Sequence, residues 1–216
     1  MTSIVAYMRK FPFILSVCLT FVVFWLPQHS VVAEKISSAK PDQFIQGLAD
    51  KAISVLSDKR GTFDDREKRL RAVLRDDFAM KKIGRFAVGK HWRAMSIEQK
   101  RQYHELFEEW ILKTYSIRLG GYSGETVNVI KTIKAGATDV FVRTRIDSRK
   151  RNSLMIDWRV RRVKNRFKII DVVVEGVSML VTQKAEFGAV IRERGVDGLI
   201  NVLRSQLDRL ADAKAG

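Results

Sequence analysis

Cysteine, proline and histidine are scarce in this sequence, and their scarcity excludes several classes of protein. The 216 residues contain one cysteine, three prolines and three histidines. The lone Cys18 allows no internal disulfide. No HExxH pattern, phosphate-binding GxxxxGK[ST] loop or G-x-S-x-G nucleophile motif is present. The sequence therefore predicts no metal site, no cofactor and no catalytic residue.

The first 33 residues are typical of a cleavable export signal. Arg9 and Lys10 form a short positive region, and a nearly unbroken apolar run follows at 11–26. Small or modest residues precede a signal-peptidase site after Ala33. We therefore expect cleavage near Ala33 and one mature domain at 34–216. An uncleaved anchor is the alternative, but the run is shorter than the roughly 20 residues that span a bilayer.

The charge balance of the chain is strongly basic. Its 40 basic and 24 acidic residues give a formal charge of +16, and +14 remains after residue 33 because the first 33 residues hold two basic and no acidic ones. Such a charge raises nucleic acid as a partner. Export argues against that partner, because anionic headgroups and acidic protein surfaces are what the cell envelope offers. We expect no nucleic acid partner.

The first half of the predicted mature chain has the periodicity of helices. Pro41 stands at a plausible first helical position, and a second helix is predicted after Thr62. The stretch 83–89, with two glycines, fits a broken helix or a turn. Ser96 begins a capping box, which predicts a third long helix that stops at Gly120.

The pattern then changes to the alternation of strands. Short connections imply an antiparallel meander of four strands, at 126–134, 137–147, 153–163 and 166–174. Two more helices, which begin near Ser178 and near Gly195, close the chain. The predicted fold class is α+β: a helical N-terminal half, a four-stranded antiparallel sheet, two C-terminal helices and an apolar cavity between sheet and helices.

One face of the predicted sheet is apolar and the other is basic. The basic face carries Arg143, Arg145, Arg159 and Arg161. These arginines either dock acidic partners or anionic headgroups, or simply solvate the face. Asp171, among apolar residues of the last strand, is predicted to pair with an arginine; a buried carboxyl with a shifted pKa is the alternative.

Two C-terminal segments are distinctive: the EGVSM run at 175–179 and the GVDGL run at 195–199. They resemble the C-terminal signature of the MlaC (toluene-tolerance) family. Upstream, 83–92 and the helix at 96–115 are similar to further family motifs, with Ile97 in place of the usual proline. The resemblance extends from about residue 40 to residue 208.

The resemblance implies a soluble periplasmic carrier in an ABC-linked lipid transport system. Such a carrier binds a phospholipid or related lipid by its acyl chains. It shuttles the lipid between an outer-membrane lipoprotein complex and an inner-membrane ABC transporter complex, and it is not an enzyme. A sister branch is associated with hopanoid biosynthesis, and the motifs do not separate the two branches.

A diacyl lipid between the apolar sheet face and the helices predicts a set of apolar lipid-binding residues. They are Phe86, Phe107, Trp110, Ile111, Val142, Ile146, Leu154, Ile156, Trp158, Val160, Val174, Val177 and Met179. Two other interpretations remain open. One is a non-carrier envelope adaptor with a filled core, and the other is an enzyme on a similar scaffold with Asp171 or His104 as acid/base.

Overall fold

The computed structural model of the protein describes residues 40–58, 60–119, 122, 124–149 and 152–215. The predicted export signal and its cleavage point lie outside these residues. Within the described ranges, no helix is both long enough and apolar enough to cross a membrane.

Helices occupy the first half of the described chain, and a sheet and a long broken helix occupy the second. The helices of the first half are α1 Pro41–Ser57, α2 Phe63–Asp77, α3 Met80–Val88, a short 3₁₀ helix Gly89–Arg93, and α4 Ile97–Leu119. The sheet is formed by β1 Thr126–Ala135, β2 Asp139–Asp147, β3 Leu154–Val163, β4 Arg166–Val174 and β5 Val177–Ser178. The last element is α5 Met179–Ala215.

The predicted helix starts are confirmed by their capping contacts. Pro41 occupies the first turn of α1, where its missing N–H costs no hydrogen bond. Before α4, the Gln99 backbone N–H donates to Ser96 Oγ and the Ser96 backbone N–H donates to Gln99 Oε1, both at 3.0 Å. Ser96 and Gln99 thus form the predicted capping box.

The glycine-containing stretch 83–89 is mostly helical. Helix α3 runs through Gly84 without a break and ends at Gly89, whose φ of +56° belongs to the region that favours glycine. Of the two glycines, Gly89 therefore ends the helix, whereas Gly84 provides room for a neighbouring side chain.

Among the described residues the sheet is antiparallel with the strand order β1-β2-β3-β4-β5. It has five strands there, so the predicted count of four was wrong. The additional strand follows a two-residue turn at Glu175 and Gly176, which have φ of +48° and +82°. Two successive positive φ values are typical of the tight turn that reverses a strand onto itself. The turn therefore folds Val177 and Ser178 back along β4, although two residues are too few to show an alternating pattern.

Helix α5 contains one break, at Gly195, where φ is +69°. The two predicted C-terminal helices, beginning near Ser178 and near Gly195, are confirmed by this break. A residue with a side chain rarely adopts this conformation, so glycine at this position permits the change of direction.

The core consists of three clusters of buried apolar residues. The first lies among α3, α4 and α5; the second lies between α1 and the sheet; the third lies where α1, α2 and α4 meet. Phe78 packs against the second and third clusters, and Ile111 packs against the first and third. The three clusters are therefore continuous through these two side chains.

Candidate functional site

The inner face of the sheet presents the predicted apolar residues of β2 and β3 in register. Val142 lies opposite Trp158, Thr144 opposite Ile156, and Ile146 opposite Leu154. Period-two alternation puts these residues on one face and the arginines of both strands on the other. The inner face is thus a continuous apolar surface with one hydroxyl in it.

That hydroxyl belongs to Thr144, which is fully buried. It accepts a hydrogen bond of 2.9 Å from the indole Nε1 of Trp158. Because the Thr144 hydroxyl and the Trp158 indole N–H bind each other, neither group faces the apolar surface unpaired. An unpaired polar atom there would oppose the burial of a hydrocarbon ligand.

One end of this face is already filled by side chains. Val142 and Val160 are buried against Ile45 and Leu48 of α1, and Trp158 packs on the same cluster. These predicted lipid-binding residues therefore belong to a packed cluster that also contains residues of helix α1.

The other end of the face is less covered. Ile146, Leu154 and Val174 are half-buried, and Ile156 is 7% exposed. The register brings them together, because Ile146 pairs with Leu154 and Ile156 pairs with Val174. None of the four belongs to the three core clusters of the described chain. We call this set, Ile146, Leu154, Ile156 and Val174, the open sheet end.

The predicted helical residues lie in a different cluster. Phe107 is buried in the packing of α3, α4 and α5, and Trp110 and Ile111 pack against it. The Phe107 ring stacks on Tyr103 with centroids 5.6 Å apart. The structure brings these three predicted residues together, but it places them in a cluster separate from that of Val142 and Trp158.

The remaining predicted residues, Val177, Met179 and Phe86, lie outside both the core clusters and the open sheet end. Val177 is 53% exposed on β5, and Met179 is half-buried in the first turn of α5. Phe86 is 45% exposed, and the Nζ of Lys184 lies 4.8 Å from the centroid of its ring. Phe86 lines a groove of about 550 Å³ rather than the sheet face.

This groove was missed by the sequence interpretation. Its lining residues, which define what we call the basic groove, are Lys82, Arg85, Phe86, Gly89, Lys90, Trp92, Arg93, Arg161 and Lys184. A signal for it was present in the sequence. Residues 78–97 contain five lysines and arginines and no carboxylate, a local imbalance that the total charge of the chain obscures.

The arginines of the outer sheet face all pair with carboxylates. Each of Arg143, Arg145, Arg159 and Arg161 lies within salt-bridge distance of an aspartate. The Arg143 guanidinium binds Asp157 in a two-point contact, with both N–O distances 2.7 Å. Much of the predicted basic character of this face is therefore neutralised within the sheet.

Asp139 is the most buried of these carboxylates, and it binds two guanidinium groups. Arg161 Nε donates to Oδ1 at 2.5 Å and Arg159 Nε donates to Oδ2 at 2.8 Å. The hydrogen bond from Arg161, opposed by burial and helped by Arg159, lowers the pKa of Asp139 from 3.8 to about 2. The group is thus ionised throughout the physiological range.

The two residues considered as an acid/base have structural partners instead. Asp171 accepts hydrogen bonds from the Ser178 hydroxyl and from the Val172 and Leu180 backbone N–H groups. The prediction that Asp171 pairs with an arginine was wrong. Arg159 lies opposite Asp171 on the neighbouring strand, but it forms its salt bridge with Asp139. His104 packs against the Trp92 ring at 4.8 Å, and burial, with Lys81 nearby, lowers its pKa.

Within the described residues, no group of three His, Cys, Asp or Glu side chains could hold a metal ion.

Comparison with known proteins gives a consistent result. The family model described as MlaC protein matches residues 46–205. The intermembrane phospholipid transport system binding protein MlaC of Haemophilus influenzae is 24% identical over 194 residues, covering 86% of this chain and 90% of that relative. A solved structure of a phospholipid-binding protein from Ralstonia solanacearum, in complex with a phospholipid, matches with a TM-score of 0.72 and 24% identity, covering 80% of this chain and 99% of the other.

Proposed function

The chain belongs to the MlaC family, and we propose that it is a periplasmic carrier that binds a phospholipid by its acyl chains and moves it between membrane complexes. The family match carries this proposal. Two further points support it: a relative whose name places it in an intermembrane phospholipid transport system, and a similar fold solved with a phospholipid.

The physical task of such a carrier is to keep acyl chains out of water. Each buried methylene is worth about 0.8 kcal/mol, so a lipid with two chains of about 16 carbons costs more than about 20 kcal/mol to expose. Transfer between a bilayer and an apolar pocket is nearly neutral by the same measure. Direction must therefore come from partners, and we propose an inner-membrane ABC transporter complex and an outer-membrane lipoprotein complex.

We place the acyl chains against the open sheet end. Its four residues are apolar, lie side by side across β2, β3 and β4, and stand outside the packed clusters. Val142, Trp158 and Val160 form the inner wall, where α1 already covers the sheet. Phe107, Trp110 and Ile111 then support the helices that bound the site, and Val177 and Met179 lie at its margin.

Native mass spectrometry of the purified protein tests the proposed function. We expect an added mass that corresponds to a phospholipid, and the same lipid in an organic extract. A protein that carries no lipid, and takes none up from phospholipid vesicles, contradicts the carrier and favours an adaptor. A hopanoid in the extract would instead assign the chain to the hopanoid-associated branch.

A pair of variants tests the location. Ile146→Glu places a charge at the open sheet end, and we expect it to reduce the lipid-bound fraction severalfold because a buried carboxylate opposes hydrocarbon contact. Ile133→Glu is the matched control, since Ile133 is 39% exposed and pairs with Phe141 on the outer face. Equal lipid occupancy in the two folded variants contradicts this location.

A further inference from the structure

The basic groove concentrates positive charge in a concave surface. Six of its nine lining residues are lysines or arginines, two are aromatic, and none is acidic. The cations come from α3, the 3₁₀ helix, β3 and α5, so the tertiary fold assembles them from four elements. Like charges held this close repel one another, and an anionic occupant would relieve that repulsion.

Four of the six cations have no carboxylate partner among the described residues. In the part of the chain that the structure describes, no carboxylate lies within 4.0 Å of Lys82, Arg85, Lys90 or Arg93. The outer sheet face is the opposite case, because its four arginines are all paired. The groove, and not the outer sheet face, therefore has positive charge available for a partner.

The floor of the groove depends on Gly89 and Phe86. The backbone at Gly89 has positive φ, which favours glycine, and a Cβ there would lie 3.0 Å from Cε of the Lys184 side chain. Lys184 passes over this glycine and reaches the Phe86 ring. An exposed ring thus lies among the cations, which offers apolar contact beside ionic contact.

We propose that the basic groove binds an acidic segment of a protein partner. Carboxylates of the segment pair with Lys82, Arg85, Lys90 and Arg93, and an apolar side chain of the segment lies on Phe86. A polypeptide segment fits this lining because it can supply carboxylates for the cations and an apolar side chain for the exposed ring together. The proposal concerns a site separate from the open sheet end and does not depend on the lipid function.

Fluorescence anisotropy with a labelled, glutamate-rich peptide that carries a central leucine tests this proposal at about 0.1 M salt. We expect Lys90→Glu/Arg93→Glu to weaken binding at least about tenfold. The control is Lys131→Glu/Lys134→Glu, which makes the same charge change at exposed positions of β1 outside the groove. We expect it to change binding less than about twofold.

Three results would overturn the proposal. The first is a peptide that the unmodified protein does not bind. The second is equal weakening by the two charge-reversed pairs, which would mean that net charge alone attracts the peptide. The third is groove-dependent sedimentation with phosphatidylglycerol vesicles while peptide binding is insensitive to the groove, which would make a lipid surface the occupant.

Folding and lipid content are measured on the same samples. If Lys90→Glu/Arg93→Glu lowers the thermal midpoint, Lys90→Gln/Arg93→Gln replaces it, and unchanged peptide binding in that folded pair also contradicts the proposal. A protein that retains lipid but does not bind the peptide contradicts the proposed peptide site and leaves the carrier function standing. Peptide binding without lipid refutes the carrier function alone.

Discussion

The hydroxyl of Ser178 donates a hydrogen bond of 2.7 Å to Oδ2 of Asp171 across the turn between β4 and β5. The same hydroxyl oxygen accepts from the Val181 backbone N–H at 3.0 Å, and Oδ1 of Asp171 accepts from the Leu180 backbone N–H at 3.1 Å. Both side chains therefore cap the start of α5, where a negative charge is also favourable.

Ser178→Ala tests this cap. The substitution removes the acceptor of the Val181 N–H and one donor to the buried Asp171, so we expect the free energy of unfolding to fall by about 1–2 kcal/mol. Thr182→Ala is the control, because its exposed hydroxyl donates to the backbone carbonyl of Ser178, four residues earlier, and not to the cap. Urea denaturation measures both, and equal losses would show that the cap contributes nothing of its own.

Thr144→Val tests the polar pair on the inner sheet face. Valine keeps the shape of the buried side chain but leaves the Trp158 Nε1 without its acceptor, so we expect a loss of about 1–2 kcal/mol of stability. In a Trp158→Phe background the indole N–H is absent, and Thr144→Val should then be nearly neutral. A double-mutant cycle that shows no coupling would contradict the assigned hydrogen bond.

Gly84→Ala tests the close packing of α3 on α4. An added Cβ would lie 2.9 Å from Phe107 Cδ1, and the Gly84 carbonyl accepts the 2.8 Å hydrogen bond of the buried Tyr103 hydroxyl. We expect a destabilisation of about 1–3 kcal/mol from overpacking. The control is Gly47→Ala in α1, where a Cβ meets nothing within 4 Å.

The two glycine substitutions should have opposite signs. Alanine is preferred over glycine inside a helix by about 1 kcal/mol, and no contact opposes that gain at Gly47. Thermal denaturation of the two variants compares them directly. A Gly84→Ala variant as stable as the unmodified protein would mean that Phe107 moves aside at no cost.

Asp139→Asn tests the ion pairs of Asp139 with Arg159 and Arg161 on the outer face, through the pH dependence of the free energy of unfolding. The pKa of Asp139 lies below its ordinary value because Arg161 and Arg159 bind the ionised form. The ionised Asp139 therefore stabilises the folded protein above about pH 4, and this stabilisation is lost as pH falls towards 2. A pKa shift of this size corresponds to about 2 kcal/mol of folding free energy. We expect Asp139→Asn to be less stable at pH 7 and the difference to shrink towards pH 2, whereas a constant difference would contradict the ion pair.

The elements could be predicted from the sequence because each is specified by nearby residues. Pro41, the Ser96 capping box and Gly195 fix where helices begin or break through contacts within a few positions along the chain. The alternation in β2 and β3 assigns their inner and outer faces because successive side chains point to opposite sides. The resemblance to the MlaC family was likewise visible in short segments, and the family match confirms it.

The misses concern contacts that no local sequence pattern specifies. Asp171 was expected to pair with an arginine, but the fold brings Ser178 and the start of α5 to it. The strand β5 was missed because two residues show no period. The predicted lipid-binding residues stay a prediction, and they are distributed among two clusters, the open sheet end, its margin and the groove.

The sequence by itself determined the α+β class, the starts of α1, α2 and α4, the two faces of the sheet and the excess of positive charge, because these depend on local spacing and composition. Only the tertiary structure decided which charges are free. The arginines at 143, 145, 159 and 161 form salt bridges with aspartates of β2 and β3, while Lys82, Arg85, Lys90 and Arg93 face a groove whose lining residues include no acid. Pairing of charges depends on distances in space, and the packing of α3 and α5 against the sheet sets those distances.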